Sequence, residues 1–425
     1  MLLTGGASRT TWAFSTPTRP LILRLDPPMA VDHSMELEAR CIRAAATAGV
    51  PVPSVVAVSD DPATLGSAYM VLERISGETI PRRILRDEGF AKARPRLVSQ
   101  AAAALAAIHR IDPGTVAGLD DSDQLAFWAR RLRELPDGYP ALELGLKWLE
   151  DHRPPARAGA QVLVHGDFRM GNLMVDAEGL CSVLDWELCH TGDPLEDLGW
   201  MCVRAWRFGS SQPALGLGDY DELRGAYEAA GGTPVDLEAL KWWELFGTWR
   251  WGVICAGMAA AARTFGKMSV EVAAIGRRTC ENEWDVLVCL ERAGLSAPAP
   301  EGSAAAAAAT EQANLHGPPS LEDLVAAVRG WLETSVKPAV DTTLGFHTRV
   351  AGNVLATIQR EIELGPSQAV VHQELLESLG ASSESDLAAA ISSGRLAYDD
   401  PDVLGAIRWS VKAKLDVAHP GYDSA

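Results

Sequence analysis

Asp167 and Asn172 stand five residues apart in "HGDFRMGN" (165–172), and Asp185 follows after thirteen more. All three side chains offer oxygen, and each sits beside a short apolar run. Phosphoryl transfer needs such a set: one carboxylate orients the attacking hydroxyl and accepts its proton, while two further oxygen ligands hold Mg²⁺ against nucleotide phosphates. In this reading Asp167 is the base, Asn172 and Asp185 are the metal ligands, and His165 braces the loop. A lone Asp-Gly or Gly-Asn pair is commonly only a turn. Four polar positions at this spacing, each at the end of an apolar run, are hard to obtain as turns alone.

Those runs are the elements that must position the set. Val162, Leu163 and Val164 read as one buried strand, Leu173, Met174 and Val175 as a second, and "CSVLD" as a third ending on Asp185. The polar residues therefore lie on a loop at strand ends, where a rigid scaffold can hold reactive groups. Residues 1 to about 75 read as β-rich with one helix. "LILRL" (21–25) and "AYMVLERI" (68–75) are strand-like, and 33–49 is helical, ending at Gly49 before Pro51 and Pro53. From about 80 to 290 helices dominate, interrupted by short strands at 162–165, 172–175 and 181–185. The stretch 295–320 shifts to Ala, Pro, Ser and Gly and marks a linker, and 321–415 is again amphipathic and helical. The expected architecture is α+β: a small mixed lobe over 1–76, a large helical lobe over 77–294, the linker, and an all-α domain over 321–425. In that last part Phe346, Val350, Val354 and Ile358 recur every four residues and give one apolar face.

At 425 residues the chain is too long for one core, and 47% hydrophobic with 22% charged residues is ordinary for a globular protein. The net charge of −18, from 38 basic and 56 acidic residues, argues against nucleic acid and anionic membranes as partners. Seven cysteines without a CxxC pair suggest buried thiols rather than disulfides or a zinc site. "MLLTGGASRTTW" lacks the apolar core of a signal peptide, and the longest apolar run, Trp251 to Ala262, is too short to span a bilayer. A cytoplasmic location is expected.

The segments "HGDFRMGNLMVD" and "VLDWELCHTGDPLEDLGW" resemble the aminoglycoside phosphotransferase family, also called choline-kinase-like, within the protein-kinase-like fold. The resemblance spans roughly residues 4 to 290. Within the family the chain is similar to the kinase-like domains found beside, or fused to, acyl-CoA dehydrogenases. The resemblance implies a two-lobed fold, ATP as cofactor with Mg²⁺, and further site residues. Gly5, Gly6 and Ser8 in "TGGASRTTW" would cover the phosphates. Arg24 stands where kinases carry a phosphate-holding lysine, a departure because arginine is not geometrically equivalent. Glu38 matches the acid that pairs with that cation. The Glu73 carbonyl and Ile75 amide would read adenine at the hinge. His109 reads as structural, "GDPLEDL" (192–198) as scaffold, and the tryptophans of "KWWELFGTWRWG" (241–252) as core. Almost nothing precedes the glycine turn, where the family carries a helix and a first strand that would pair with the Arg24 strand, so either the chain starts further upstream or the small lobe is pared down. Residues beyond the linker resemble a helical domain of unknown function, to which Arg349, Asn353 and Arg360 contribute polar residues.

The expected activity is transfer of phosphate from ATP, with Mg²⁺, to a hydroxyl of a small molecule. The resemblance favours a hydroxyacyl-CoA or related metabolite over an antibiotic. The rival is a nucleotide-binding pseudokinase or sensor whose C-terminal helices recruit a partner. Those helices are candidates for homo-oligomer contacts or for docking a partner enzyme.

Overall fold

The computed structural model describes residues 2–3, 9–26, 34–155, 161–266, 269–298 and 320–424. The chain divides into two compact units, Met1–Gln124 with Pro154–Gly247, and Leu125–Arg153 with Thr248–Ala425.

The first unit opens with a five-stranded antiparallel sheet in the order β1-β2-β3-β5-β4: β1 Leu2–Leu3, β2 Thr10–Ser15, β3 Pro20–Leu25, β4 Val55–Ser59 and β5 Tyr69–Glu73. On sequence alone, a short N-terminus leaves the Arg24 strand without the partner that the family carries ahead of the glycine turn. The partner is instead β2, downstream of it, pairing from Thr10↔Leu25 to Ser15↔Pro20, with Thr11 opposite Arg24. The β-branched and aromatic residues of "TTWAFS" favour that extended strand. Thr16 closes the hairpin, its hydroxyl accepting the Arg19 N–H at 3.1 Å. In β1, Leu2 pairs with Trp12 and Leu3 with Thr11.

The helix Met35–Thr47 packs on this sheet. Ser34 caps it by accepting the Leu37 N–H at 3.0 Å, and Glu36 and Glu38 lie in its first turn, where the helix dipole favours acids. It stops at Gly49, whose φ of 85° permits the reversal that lets the Val50 N–H reach the Ala45 carbonyl. Met35, Ala39 and Ile42 then meet Met70 and Leu72 in a buried core that continues through Leu97, Leu105, Phe168 and Leu173. One core thus fixes the sheet against the loop between β6 (Val162–Val164) and β7 (Leu173–Val175). β6 pairs with β9 (His190–Gly192), and β7 with β8 (Leu180–Val183).

The second unit is helical. The helix Pro140–Asp151 packs against Glu384–Ser392, Thr279–Arg292 and Pro401–Ala418, while Thr342–Ser378 packs against Pro401–Ala418 and Leu321–Trp331. Trp249 is fully buried and donates to the Leu142 carbonyl at 2.8 Å, in line with a core role. Glu281, Glu283 and Asp285 are buried acids on one helix, met by His419, Lys414 and Tyr422 from the C-terminus. The face through Phe346, Val350, Val354 and Ile358 is not the buried one, since Phe346 and Ile358 are exposed and Thr348 and Gly352 are buried. All seven cysteines are free. Among the described residues no helix is long and apolar enough to cross a membrane.

Candidate active site

The loop joining β6 to β7 begins with a turn that only glycine fits. Gly166 has φ 82°, and a β-carbon there would fall 2.3 Å from the Leu188 carbonyl oxygen. Asp197, in the helix Leu195–Cys202, pins the turn: its carboxylate accepts the His165 N–H at 2.8 Å and the Gly166 N–H at 2.9 Å. His109 Nε2 lies 3.1 Å from the same carboxylate, and His109 Nδ1 accepts the Tyr227 hydroxyl at 2.7 Å. Burial alone would raise the Asp197 pKa, but His109 and the His165 amide hold it below the ordinary carboxylate value.

His165 braces the loop, as its position suggests. Its Nδ1 accepts the Asp167 N–H at 3.2 Å, so Nε2 carries the hydrogen and donates to the Leu184 carbonyl at 3.1 Å. Complete burial lowers its pKa further than the neighbouring acids raise it, and the ring is neutral.

Asp167 is the best-held carboxylate of the loop. One oxygen, Oδ2, accepts the Asn172 side-chain N–H at 2.6 Å, while Oδ1 accepts Arg169 Nε at 2.9 Å and Trp200 Nε1 at 2.7 Å. Because Asn172 donates through Nδ2, its Oδ1 is the atom left for a metal. The Asn172 carbonyl also accepts the Leu184 N–H at 2.9 Å, tying the loop to the residue before Asp185. Asp185 itself has φ 66°, an uncommon left-handed conformation for a residue with a β-carbon.

The sheet reaches this loop through ion pairs. Arg24 donates to Glu38 at 2.5 Å and to Asp185 at 2.8 Å. Arg9 donates to the other Glu38 oxygen at 2.5 Å and to Asp26 at 2.6 Å, and lies 3.3 Å from Glu187. Burial works against the Arg24 charge, but Glu38 and then Asp185 outweigh it and keep its pKa above the ordinary arginine value. Burial and the Asp185 charge push the Glu187 carboxyl up to about 7.

Arg24, Glu38, Asp167, Asn172 and Asp185 are thus linked in one region. Glu73 and Ile75 lie apart from it: Arg24 is opposite Met70 and Leu21 opposite Glu73, an offset of roughly 10 Å along β5 at about 3.3 Å per residue. Gly5, Gly6 and Ser8 lie outside the described residues. Sequence reasoning missed Arg9, Asp26, Arg169, Glu187, Asp197 and Trp200. The spacing of "DWE" (185–187) was the one available signal, for Glu187.

The donor set suits a divalent cation. Two arginines face Asp26, Glu38, Asp185 and Glu187, which leaves this network two negative charges in excess when all four acids are ionised. Among the described residues no cluster of three or more His, Cys, Asp or Glu could hold a metal by itself. An Asn oxygen and one carboxylate, completed by phosphate oxygens, is a Mg²⁺ arrangement rather than a closed protein cage.

The sequence pattern of the phosphotransferase enzyme family matches residues 1–243, and that of a domain of unknown function matches 338–422. The chain is 32% identical to acyl-CoA dehydrogenase family member 10 of Mus musculus over 51% of its own length and 21% of that protein. It is 29% identical to acyl-CoA dehydrogenase family member 11 of Gallus gallus over 52% of its length and 30% of that protein. It therefore spans less than a third of the length of these curated relatives. Among solved structures, a candidate aminoglycoside phosphotransferase of Ralstonia eutropha JMP134 superimposes with a TM-score of 0.54 at 25% identity, covering 69% of this chain and 92% of that one. The small β-sheet followed by a mostly helical remainder is accordingly the protein-kinase-like arrangement that the catalytic loop resembles.

Proposed function

The chain belongs to the phosphotransferase enzyme family, and from that premise we propose that it transfers the γ-phosphoryl group of ATP, in the presence of Mg²⁺, to a hydroxyl of a small molecule. One observation carries the reading: Asp167 is hydrogen-bonded to Asn172 on one oxygen and keeps its other oxygen on the opposite side. A base must hold a fixed orientation toward the acceptor hydroxyl, and this carboxylate is held by three donors. Asn172 and Asp185 are the residues that would hold Mg²⁺, which when bound would neutralise and align the phosphate oxygens. Arg24, braced by Glu38, would steady the phosphates from the sheet. A nucleotide would lie along β3 and β5, with its phosphates near Arg24 and adenine near the Glu73 carbonyl and the Ile75 amide. Gly5, Gly6 and Ser8 would complete the phosphate cover.

The acceptor is proposed to be a hydroxyacyl-CoA or related metabolite, because the curated relatives carry acyl-CoA dehydrogenase names. The test is a screen of hydroxyacyl-CoAs, hydroxy acids and aminoglycosides with ATP and Mg²⁺, reading ADP release and phosphorylated product. Transfer to a hydroxyacyl-CoA supports the full reading. Tight binding of a non-hydrolysable ATP analogue without transfer to any acceptor would return the sensor reading instead.

A further inference from the structure

On the side of Asp167 that faces away from Asn172, four side chains close a ring of contacts. Arg169 Nε and Trp200 Nε1 both donate to Asp167 Oδ1, at 2.9 Å and 2.7 Å. The Trp200 and Trp206 rings lie 5.5 Å apart, and the Arg169 guanidinium sits 4.5 Å over the Trp206 ring. Both tryptophans are buried, whereas the Arg169 side chain keeps a quarter of its surface exposed. Gly171 adds a third constraint, since a β-carbon there would fall 2.6 Å from Arg169 Nη1. The arginine is therefore held by a carboxylate on Nε, by an aromatic face beneath it, and by close backbone at one edge.

That anchoring uses little of what the group can donate. A guanidinium carries five N–H bonds in a rigid fork, and the Asp167 contact uses the Nε hydrogen. Among the described residues no further acceptor meets its terminal nitrogens. Those unused donors, held in place from beneath and on one edge, suit an anion. Such an anion fits the acceptor better than the nucleotide. The candidate metal ligand Asn172 holds Oδ2, so nucleotide phosphates belong on that side and Arg169 on the other.

We infer that Arg169 reads an anionic group, a carboxylate or a phosphate, carried by the acceptor close to the hydroxyl that is phosphorylated. The inference rests on the phosphotransferase reading of Asp167, and among the related metabolites it favours a free hydroxy acid or a phosphate ester over a hydroxyacyl-CoA, whose carboxyl is a neutral thioester. A planar, pre-supported fork favours bidentate contact with either group at low entropic cost. A cationic acceptor would meet like charge at the same place and be rejected.

The experiment compares glycerol, glycerate, glycerol phosphate and choline as ligands and acceptors of the wild-type full chain and of Arg169→Gln and Arg169→Lys. Binding is read by calorimetry with Mg²⁺ and a non-hydrolysable ATP analogue, and turnover with ATP. The wild type is expected to favour glycerate or glycerol phosphate over glycerol by about 10–100-fold, the worth of one charge-assisted hydrogen bond, with choline weakest. The better of the two anions identifies the group. Arg169→Gln should bring the anion-to-glycerol ratio close to one, and Arg169→Lys should keep part of it. A wild-type preference for glycerol or choline, no binding of either anion, or a ratio unchanged in Arg169→Gln would overturn the inference. So would a parallel loss of ATP-analogue affinity in Arg169→Gln, which would place the arginine on the nucleotide. Failure of the phosphotransferase reading itself shows differently, as no Mg²⁺-dependent binding of the ATP analogue to the wild type.

Discussion

Arg24 donates to Asp185 at 2.8 Å while a second nitrogen of the same guanidinium donates to Glu38 at 2.5 Å. The planar fork spans two carboxylates that belong to different elements, the helix Met35–Thr47 and the loop after β8. A lysine offers one ammonium on a shorter reach and cannot hold both in this geometry. Arg24→Lys is therefore expected to lower stability by about 1–2 kcal/mol, less than the 3–5 kcal/mol of leaving a buried charge unpaired. It should not tighten binding of a non-hydrolysable ATP analogue. Thermal denaturation and calorimetric titration check the two halves, and a tighter-binding lysine variant would show that Arg24 is a compromise rather than a fit.

Asp167 and Asp185 are given different roles, and mutation separates them. Asp167→Asn keeps the shape of the carboxylate but removes the proton acceptor, so turnover should fall by roughly 10²–10⁴-fold with nucleotide affinity nearly unchanged. Asp185→Asn removes charge from the candidate Mg²⁺ ligand and should weaken Mg²⁺-dependent nucleotide binding instead. If the two variants shift kcat and nucleotide affinity alike, the division of roles is wrong.

Asp197 acts through the loop it pins. Asp197→Asn replaces an acceptor of two backbone N–H groups with an amide that can offer one of them only its oxygen, and it loses the charge. A cost of about 1.5–3 kcal/mol is expected, from the weakening of charge-assisted hydrogen bonds in a buried site. Turnover should also fall, on the order of 10²-fold, because small displacements of a positioned base are costly. Urea denaturation with an unchanged slope reads the first effect and steady-state kinetics the second; a variant as stable as the parent would remove Asp197 from this role.

The local spacing of Asp167, Asn172 and Asp185 was legible because the strands on either side are short, apolar and adjacent in the chain, so sequence distance nearly fixes spatial distance. Arg24 and Glu38 were readable only through resemblance, since the sheet register that brings Arg24 opposite Thr11 and Met70 is not local. Asp197 was hidden for a different reason. An acid in the first turn of a helix looks like a partner of the helix dipole, and nothing in "GDPLEDL" says that its carboxylate turns inward to amides more than thirty residues earlier. Trp200 reads as one more apolar residue of a buried helix until its indole N–H is seen on Asp167. β2 is hidden in the sequence because Thr10, Thr11 and Trp12 run straight on from the glycine segment "TGGASR".

His165 makes the loop sensitive to pH. Its ring is fully buried and neutral, with Nδ1 occupied by the Asp167 N–H and Nε2–H given to the Leu184 carbonyl. Protonating Nδ1 would set a hydrogen against the Asp167 amide and bury a charge, and burial accordingly holds the folded pKa below the ordinary value of 6.5. The unfolded chain then binds more protons than the folded one below about pH 6.5, so stability rises with pH across that window. The contribution is fully present above the unfolded pKa and is lost as pH falls toward the folded one, with a slope of at most about 1.4 kcal/mol per pH unit for this single group. His165→Gln removes the titration and should be less stable at neutral pH but flatter between pH 7 and pH 5. The eight other histidines are common to both proteins, so the difference between the two pH–stability curves isolates His165. Turnover of the wild type should decline only at lower pH, near the folded pKa, where the ring that supports the Asp167 backbone gains the proton. Parallel pH–stability curves for wild type and His165→Gln would show that the loop is held without this ring's neutrality.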